Sequence, residues 1–258
     1  MVAAAARDET VAGRMAHKHP GASSDNRRAI AGLTSRHAAA VEHYLAGRVE
    51  TALPLLEQIV FGCRAVLGER HPDTLTAEGN LAVAYVRAGH DDGPAAVEDA
   101  YRAREYEFGP DDPRTLTALE CLATVHRLAG DTGKAIRVGE AVVAARERVL
   151  GPAHPDTLVS RLGVGLAYAE AHTVRQAVAV LTAALADADA AHGPDHRHTI
   201  EIRAALACCH AVDGEFGAAA VEYDRAVADA ARALGPEHPD TEVLREERRR
   251  LCEPPSPE

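Results

Sequence analysis

The stretch GPAHPDTL, residues 151–158, recurs along the chain and decides how it folds. Related eight-residue segments begin at Gly68, Gly109, Gly193 and Gly235, so successive starting glycines lie 41, 42, 42 and 42 residues apart. Self-similarity with a period of about 20–50 residues is the signature of a repeat architecture. The sequence therefore predicts a series of similar repeats rather than one irregular core.

Each repeat is predicted to contain two helices. Proline suits the first position of a helix, and Asp73 behind Pro72 places negative charge in the first turn, where the helix dipole favours it. A glycine 21 residues after the starting glycine ends the first helix, and a second helix follows. These second turns lie at Gly89, Gly130, His172 and Gly214.

One face of every first helix carries a large, a small and a planar residue in turn. In the repeat that starts at Gly68 these are Leu81, Ala82 and Tyr85. The planar position holds His43, His126, Tyr168 and His210 in the other repeats, and the second helices share an alanine at Ala52, Ala135, Ala177 and Ala219. Because one helix pair cannot bury both of its faces, neighbouring repeats must stack.

The residues of this pattern resemble the tetratricopeptide repeat in its 42-residue form, as found in kinesin light chain and bacterial relatives. The resemblance implies an all-α solenoid: a right-handed superhelix of antiparallel helix pairs, with first helices lining the concave groove. It covers residues 26–251, with repeats at 26–67, 68–108, 109–150, 151–192 and 193–234 and a capping helix within 235–251. Val243, Leu244 and Leu251 are expected to cover the last repeat, while residues 1–25 and 252–258 read as a disordered arm and tail.

Composition excludes several classes of partner. The 28 Lys and Arg against 39 Asp and Glu give a net charge of −11, which argues against nucleic acid and anionic lipid. No apolar run approaches the ~18 residues of a membrane span. The five cysteines include no C-x-x-C pair, and the N-terminus does not read as a secretory signal, so a cytoplasmic protein with reduced thiols is expected.

No constellation for catalysis, a cofactor or a metal is found. The chain contains no nucleophile elbow, no P-loop and no H-E-x-x-H motif. His192, His196 and His198 are the tightest histidine group, but their loop offers no fixed carboxylate behind them, so no metal site is predicted. The adjacent Cys208 and Cys209 lie in an apolar helical stretch and are expected to be packed, unreactive thiols.

The resemblance implies that ligand contacts come from first-helix residues 8, 11, 15 and 18 positions after each starting glycine. The Lys and Asn with which some relatives grip a terminal carboxylate, at positions 11 and 15, are absent here. The remaining groove is small and apolar, and Asn80 and Arg127 are its candidates for bonding a peptide backbone. The candidate groove residues are His37, Tyr44, Asn80, Val83, Glu120, Thr124, Arg127, Leu162, Leu166 and Cys208.

These residues favour a non-catalytic scaffold that binds a protein or peptide in the groove. A regulatory or peptide-sensing module that works with a separate NTPase, kinase or transcription regulator is one alternative. An accessory protein or enzyme of a bacterial biosynthetic pathway, with a pocket in the groove, is another, and self-association into a homo-oligomer stays open.

Overall fold

The computed structural model describes residues 24–251, and every regular element among them is an α-helix. The helices are α1 (Ser24–Leu45), α2 (Val49–Leu67), α3 (Pro72–Arg87), α4 (Gly93–Phe108), α5 (Pro113–Leu128), α6 (Thr132–Leu150), α7 (Pro155–Glu170), α8 (Val174–His192), α9 (Arg197–Val212), α10 (Phe216–Ala233) and α11 (Pro239–Arg250). The predicted all-α fold of consecutive helix pairs is confirmed. The arm expected at residues 1–25 lies outside the described residues except for Ser24 and Asp25, which are the first two residues of α1. The tail expected at residues 252–258 lies wholly outside them.

The repeated histidine starts the first helices by capping them. The backbone N–H of Asp73 donates to Nδ1 of His71 at 3.2 Å, and α7, α9 and α11 begin in the same way. A side-chain acceptor here satisfies one of the N–H groups that lack a partner in the first turn. The threonine three residues after this histidine is fully buried in α3, and its hydroxyl donates to the carbonyl of Gly68 at 2.7 Å. In α3, the histidine and the threonine therefore fix the angle at which the chain enters the helix.

The turns need residues that adopt positive φ. The starting glycines have φ between +82° at Gly193 and +105° at Gly235, and most of the second turns also use glycine. The exception is His172, whose φ of +57° is the only positive value for a non-glycine residue in the described range. An L-residue is strained in this region, so the turn between α7 and α8 is less favourable than its counterparts.

The chain forms two compact halves, one ending at Val125 and the other beginning at His126. In the first half, α1 packs on α2, α2 on α3 and α3 on α4, and the core centres on Ile59, Ala52 and Cys63, all 0% exposed. In the second half, each helix from α6 to α11 packs on the next, around a core with Leu158 and Leu181 at its centre. Contacts between sequence neighbours are what a chain of stacked repeats requires.

The face predicted for the first helices does pack. Ala82, Ala123, Gly165 and Ala207, at the small position, are all buried. A Cβ on Gly165 would lie 2.6 Å from Leu181, so glycine replaces alanine where the facing side chain of α8 is a large leucine. The planar residues are half-buried, and both tyrosines among them are hydrogen-bonded: the hydroxyl of Tyr85 donates to Glu57 at 2.8 Å, and that of Tyr168 donates to Glu140 at 2.5 Å.

Ion pairs join second helices through the first helix that lies between them. Arg161 and Arg203 both lie ten residues after a starting glycine. Arg161 pairs with Glu147 of α6 and Asp187 of α8, and Arg203 contacts α8 and α10 in the same way. In the repeat that starts at Gly68 the same position is Glu78, which accepts from Arg64 of α2 at 2.8 Å. This pair has the opposite charges, and it joins α3 to one second helix only.

The last described helix covers its neighbour differently from the prediction. Val243 is 59% exposed, so it does not cover the preceding repeat, whereas Leu244 and Leu251 are half-buried. Thr241, at 0% exposure, supplies the buried contact instead, and its hydroxyl donates to the carbonyl of Gly235 at 3.0 Å.

Candidate functional site: the first-helix surface

The first-helix surface is the set of residues 8, 11, 15 and 18 positions after each starting glycine, taken separately in the two halves. In the second half it lies on α7, α9 and α11. Many of its open members are small or apolar: Cys208 and Val243 are exposed, and Leu166, Ala204 and Ala211 are partly exposed. The same set of positions also holds the charged residues Glu201, Glu246 and Arg250. The part of it formed by Leu166, Ala204, Cys208 and Ala211 can bury an apolar segment without first removing bound water from charged groups.

Leu162 does not belong to the open surface. It is 2% exposed and packs in the core of the second half together with Leu158 and Leu181. Because α7 turns this position inward, a ligand could reach Leu162 only if the core opened. Leu166, one helical turn further on, is partly exposed at the edge of the same core.

Cys208 is open to solvent but is not poised as a nucleophile. Burial of its sulfur and the charge of Glu247 raise the pKa of the thiol. Cys209, on the other side of the helix, is buried, and burial followed by the influence of Cys208 raises its pKa to about 11. Since the thiolate is the reactive form, both thiols are less reactive than free cysteine at neutral pH. The expectation that both would be packed was wrong for Cys208.

In the first half, two of the candidate residues are buried. His37 is 5% exposed, and its Nε2 lies 3.1 Å from Nδ2 of Asn80, so α1 and α3 are joined by this polar pair. Burial lowers the pKa of His37, which favours the neutral ring that can accept this hydrogen bond. Tyr44 is 7% exposed, and the guanidinium of Arg87 lies 4.8 Å from its ring centroid. His37 and Tyr44 are therefore packed residues, and Asn80 already has a partner.

The other candidates keep some exposure. Val83 is partly exposed at the edge of the first core, and Glu120 and Thr124 are partly exposed on α5. Arg127, at the end of α5, pairs with Glu170 of α7 at 2.5 Å. A ligand that used Arg127 would have to compete with this carboxylate.

The histidine group at the start of α9 forms no metal site. The rings of His192 and His196 stack at 4.6 Å, but within the described range no three His, Cys, Asp or Glu residues are placed to hold an ion. His192 contacts the carbonyl of Ala153 at 2.7 Å, and His198 contacts Glu201 at 3.1 Å. Burial, followed by the charges of its two histidine neighbours, lowers the pKa of His196. Each ring thus has a structural contact.

None of the buried arginines of the described range was identified from the sequence, and two of them share one repeat position. Arg104 is 7% exposed and Arg146 is 4% exposed. Each is the fifth residue before a starting glycine, and that position holds Cys63, Ala188 and Ala230 in the other repeats. Two arginines at a position otherwise filled by small side chains were the signal that could have identified them.

Two tetratricopeptide repeat models match the chain, one at residues 114–186 and the other at 33–73 and 199–240. The chain belongs to the tetratricopeptide repeat family. Repeats of this family are scaffolds for protein–protein interaction, and their fold is in general non-catalytic.

Solved structures agree with this assignment. The nearly identical TPR-like repeats of a kinesin light chain protein from Podosopora anserina are 25% identical, with a TM-score of 0.66 over 78% of this chain and 96% of that one. BtubC (BKLC) from P. vanneervenii is 19% identical, with a TM-score of 0.67 over 92% of each chain. A thermophilic TPR protein from Thermus thermophilus is 22% identical, with a TM-score of 0.59 over 85% of this chain and 98% of that one.

No curated protein matches the chain. Between residues 24 and 251, no helix has both the length and the apolar character needed to cross a membrane.

Proposed function

We propose that this tetratricopeptide repeat protein is a non-catalytic scaffold that binds a segment of another protein, or a peptide, on its first-helix surface. The observation that carries the proposal is the exposure of small and apolar side chains on the first-helix surface of the second half. Cys208 is exposed there, Val243 is 59% exposed, and Leu166 and Ala204 are partly exposed. Burial of apolar area on such a surface supplies about 25 cal/mol per Å², less the cost of ordering the ligand.

The small size of these side chains favours a helix or an extended segment as the ligand. Alanine at Ala204 and Ala211 lets a backbone approach closely, while Leu166 and Val243 provide larger apolar contacts. A partner helix could lay its apolar face on such a surface, as in helix-in-groove recognition. His37, Tyr44 and Leu162 are left out of the proposed contact surface because they are buried and already in contact with Asn80, Arg87 and the core of the second half, respectively.

The chemistry of the described thiols supports a non-catalytic role. Burial, followed by the charges of Asp73 and Glu78, raises the pKa of Cys63 to about 11, and Cys209 is raised to a similar value. A catalytic thiol needs the opposite shift. Within the described range, no observation favours the regulatory module or the biosynthetic enzyme over the scaffold.

Peptide selection tests the proposal. The full chain is immobilised, a random peptide library is displayed against it, and the selected peptides are titrated by fluorescence anisotropy against the chain and two variants. Ala204→Arg places a bulky charge on the first-helix surface, and Thr182→Arg adds the same charge at an exposed position of α8. We expect Ala204→Arg to weaken binding at least about tenfold and Thr182→Arg to leave it unchanged. Equal affinities for the two variants, or a selection that yields no binding peptide, would contradict the proposal.

A further inference from the structure

Arg104 of α4 is a buried cation with too few partners. The residue is only 7% exposed. One of its nitrogens, Nη1, donates to the carbonyl of Ala100 at 3.3 Å. Nε and Nη2 find no acceptor within hydrogen-bond distance in the described part of the chain. A guanidinium has five N–H donors, so most of the hydrogen-bonding capacity of Arg104 is unused.

The matching arginine one repeat later shows what is missing. Nη1 of Arg146 donates to the carbonyl of Asp156 at 2.9 Å and to the hydroxyl of Ser160 at 2.7 Å. The residue 42 positions before Ser160 is Ala118, which offers no acceptor. The same buried arginine is therefore satisfied within the protein in one repeat and left unsatisfied in the other.

The neighbouring carboxylate does not fill the gap. Cys121 and then Glu78 act electrostatically on Arg104 and oppose the lowering of its pKa by burial. Glu78, however, accepts from Arg64 at 2.8 Å and forms no ion pair with Arg104 within 4 Å. Arg114 adds a further positive charge, although it is paired with Asp112 at 2.8 Å. Burial is the main reason that the pKa of Arg104 is lowered, so an anion in contact with the guanidinium would offset an existing cost.

A glycine makes room for the guanidinium at the first-helix surface. Gly79 lies at position 11 of its repeat, on α3. A Cβ built there would come within 2.4 Å of Nη2 and 2.6 Å of Nη1 of Arg104. The guanidinium thus occupies the space in which a side chain at a ligand-contact position would begin. Arg104 reaches this position from the second helix α4, and Gly79 itself is partly exposed.

We propose that Arg104, reaching the surface beside Gly79, binds one carboxylate of the ligand. The planar fork of arginine matches the two oxygens of a carboxylate, and such charge-assisted hydrogen bonds are among the stronger ones in proteins. A single guanidinium near Glu78, in a chain of net charge −11, suits a monoanion better than a phosphate dianion. The proposal rests on the proposed function only in one respect, namely that the carboxylate belongs to a bound protein segment. The site itself can also be filled by a free carboxylic acid.

Nuclear magnetic resonance of the arginine Nε–Hε groups tests this site in the full chain. Acetate is titrated at constant ionic strength against chloride, and Arg104→Lys identifies the Arg104 signal. We expect a saturable shift of Arg104 with acetate, no such shift with chloride, and no response of Arg146. Absence of a saturable shift at Arg104, or an equal response at Arg146, would overturn the proposal, and neither result depends on peptide selection.

Two variants probe the site without removing the arginine. Ala118→Ser supplies the acceptor that Arg146 finds in Ser160, and it should weaken acetate binding about tenfold, the value of one hydrogen bond to a charged group. Gly79→Ala places a methyl group where the guanidinium lies, and it should weaken binding as well. Unchanged acetate affinity in both variants would overturn the proposed geometry.

The source of the carboxylate is tested with a short peptide that contains one glutamate, compared with acetate and with the same peptide containing glutamine. Tighter binding of the glutamate peptide supports a protein segment as the source, and equal binding of the glutamate peptide and acetate supports a free carboxylic acid. Equal binding of the glutamate and glutamine peptides would overturn the carboxylate proposal.

Discussion

Replacing Arg203 with methionine removes the guanidinium that joins three carboxylates in the second half but keeps most of the apolar length of the side chain. Arg203 is 5% exposed and lies 2.8 Å from Asp189, 3.1 Å from Glu222 and 3.3 Å from Asp229. After the substitution, Asp229 remains buried with Arg232 as its ion-pair partner among the described residues. The substitution therefore leaves Asp189, Glu222 and Asp229 with fewer than half of their ion pairs among the described residues.

The cost follows from the burial of the partners. Removing one member of a buried ion pair costs about 3–5 kcal/mol of unfolding free energy. We expect the lower end, about 3 kcal/mol, because the side chain of Asp189 is 38% exposed and can be rehydrated. Arg161→Met is the matched control, since Glu147 and Asp187 are 36% and 39% exposed. Its cost should be only about 1 kcal/mol, as for an exposed pair.

Urea unfolding of the full chain at pH 7, followed by circular dichroism, measures both costs from the midpoint and the slope. A loss of about 3 kcal/mol also lowers the melting temperature by about 6–12 °C in a chain of this size. If Arg203→Met cost less than about 1 kcal/mol, or as little as Arg161→Met, burial of the network would not be what sets its contribution.

Three further predictions concern single residues. His172→Gly should raise the unfolding free energy by about 0.5–1 kcal/mol in urea, because release of about 1–2 kcal/mol of left-handed strain exceeds the entropy that glycine adds to the unfolded chain; no gain would contradict the strain. Burial lowers the pKa of His37 below 6.5, so the unfolded chain takes up a proton first and stability falls as the pH drops below 6.5. His37→Gln should make the urea midpoint less dependent on pH between pH 6.5 and about 5. If the midpoint changed with pH as steeply as in the unmodified chain, the prediction would be wrong. Leu181→Ala, at 0% exposure, should cost about 2–5 kcal/mol, whereas Val243→Ala, at 59% exposure, should cost under about 0.5 kcal/mol; similar costs would contradict the assigned core.

Much of the fold could be predicted because its determinants repeat. The alanines at Ala52, Ala135, Ala177 and Ala219 are all buried, with at most 2% exposure, as their shared position implied. Because such residue types recur at the same position in several repeats, the spacing alone locates the packed face. The candidate site was less predictable, because the repeat position assigns a direction to a side chain but does not determine how deeply it is buried.

Cys208 and Leu162 illustrate this limit. Both lie at positions that the repeat assigns to ligand contact, yet Cys208 is exposed and Leu162 is 2% exposed. The outcome depends on the size of the side chain and on which neighbours pack around it. Cys208 lies beside Glu247 of the following first helix, whereas Leu162 packs within a cluster of leucines.

The sequence by itself determined the helix pairs, their turns and the faces that pack, because capping residues, glycines and apolar spacing act within one or two turns of a helix. Only the tertiary structure decided that Arg146 is satisfied by Ser160 and that Arg104, facing Ala118 at the same position, is not. Whether a buried cation finds an acceptor depends on side chains brought together by packing, and the cost of leaving it without one becomes large only when water is excluded.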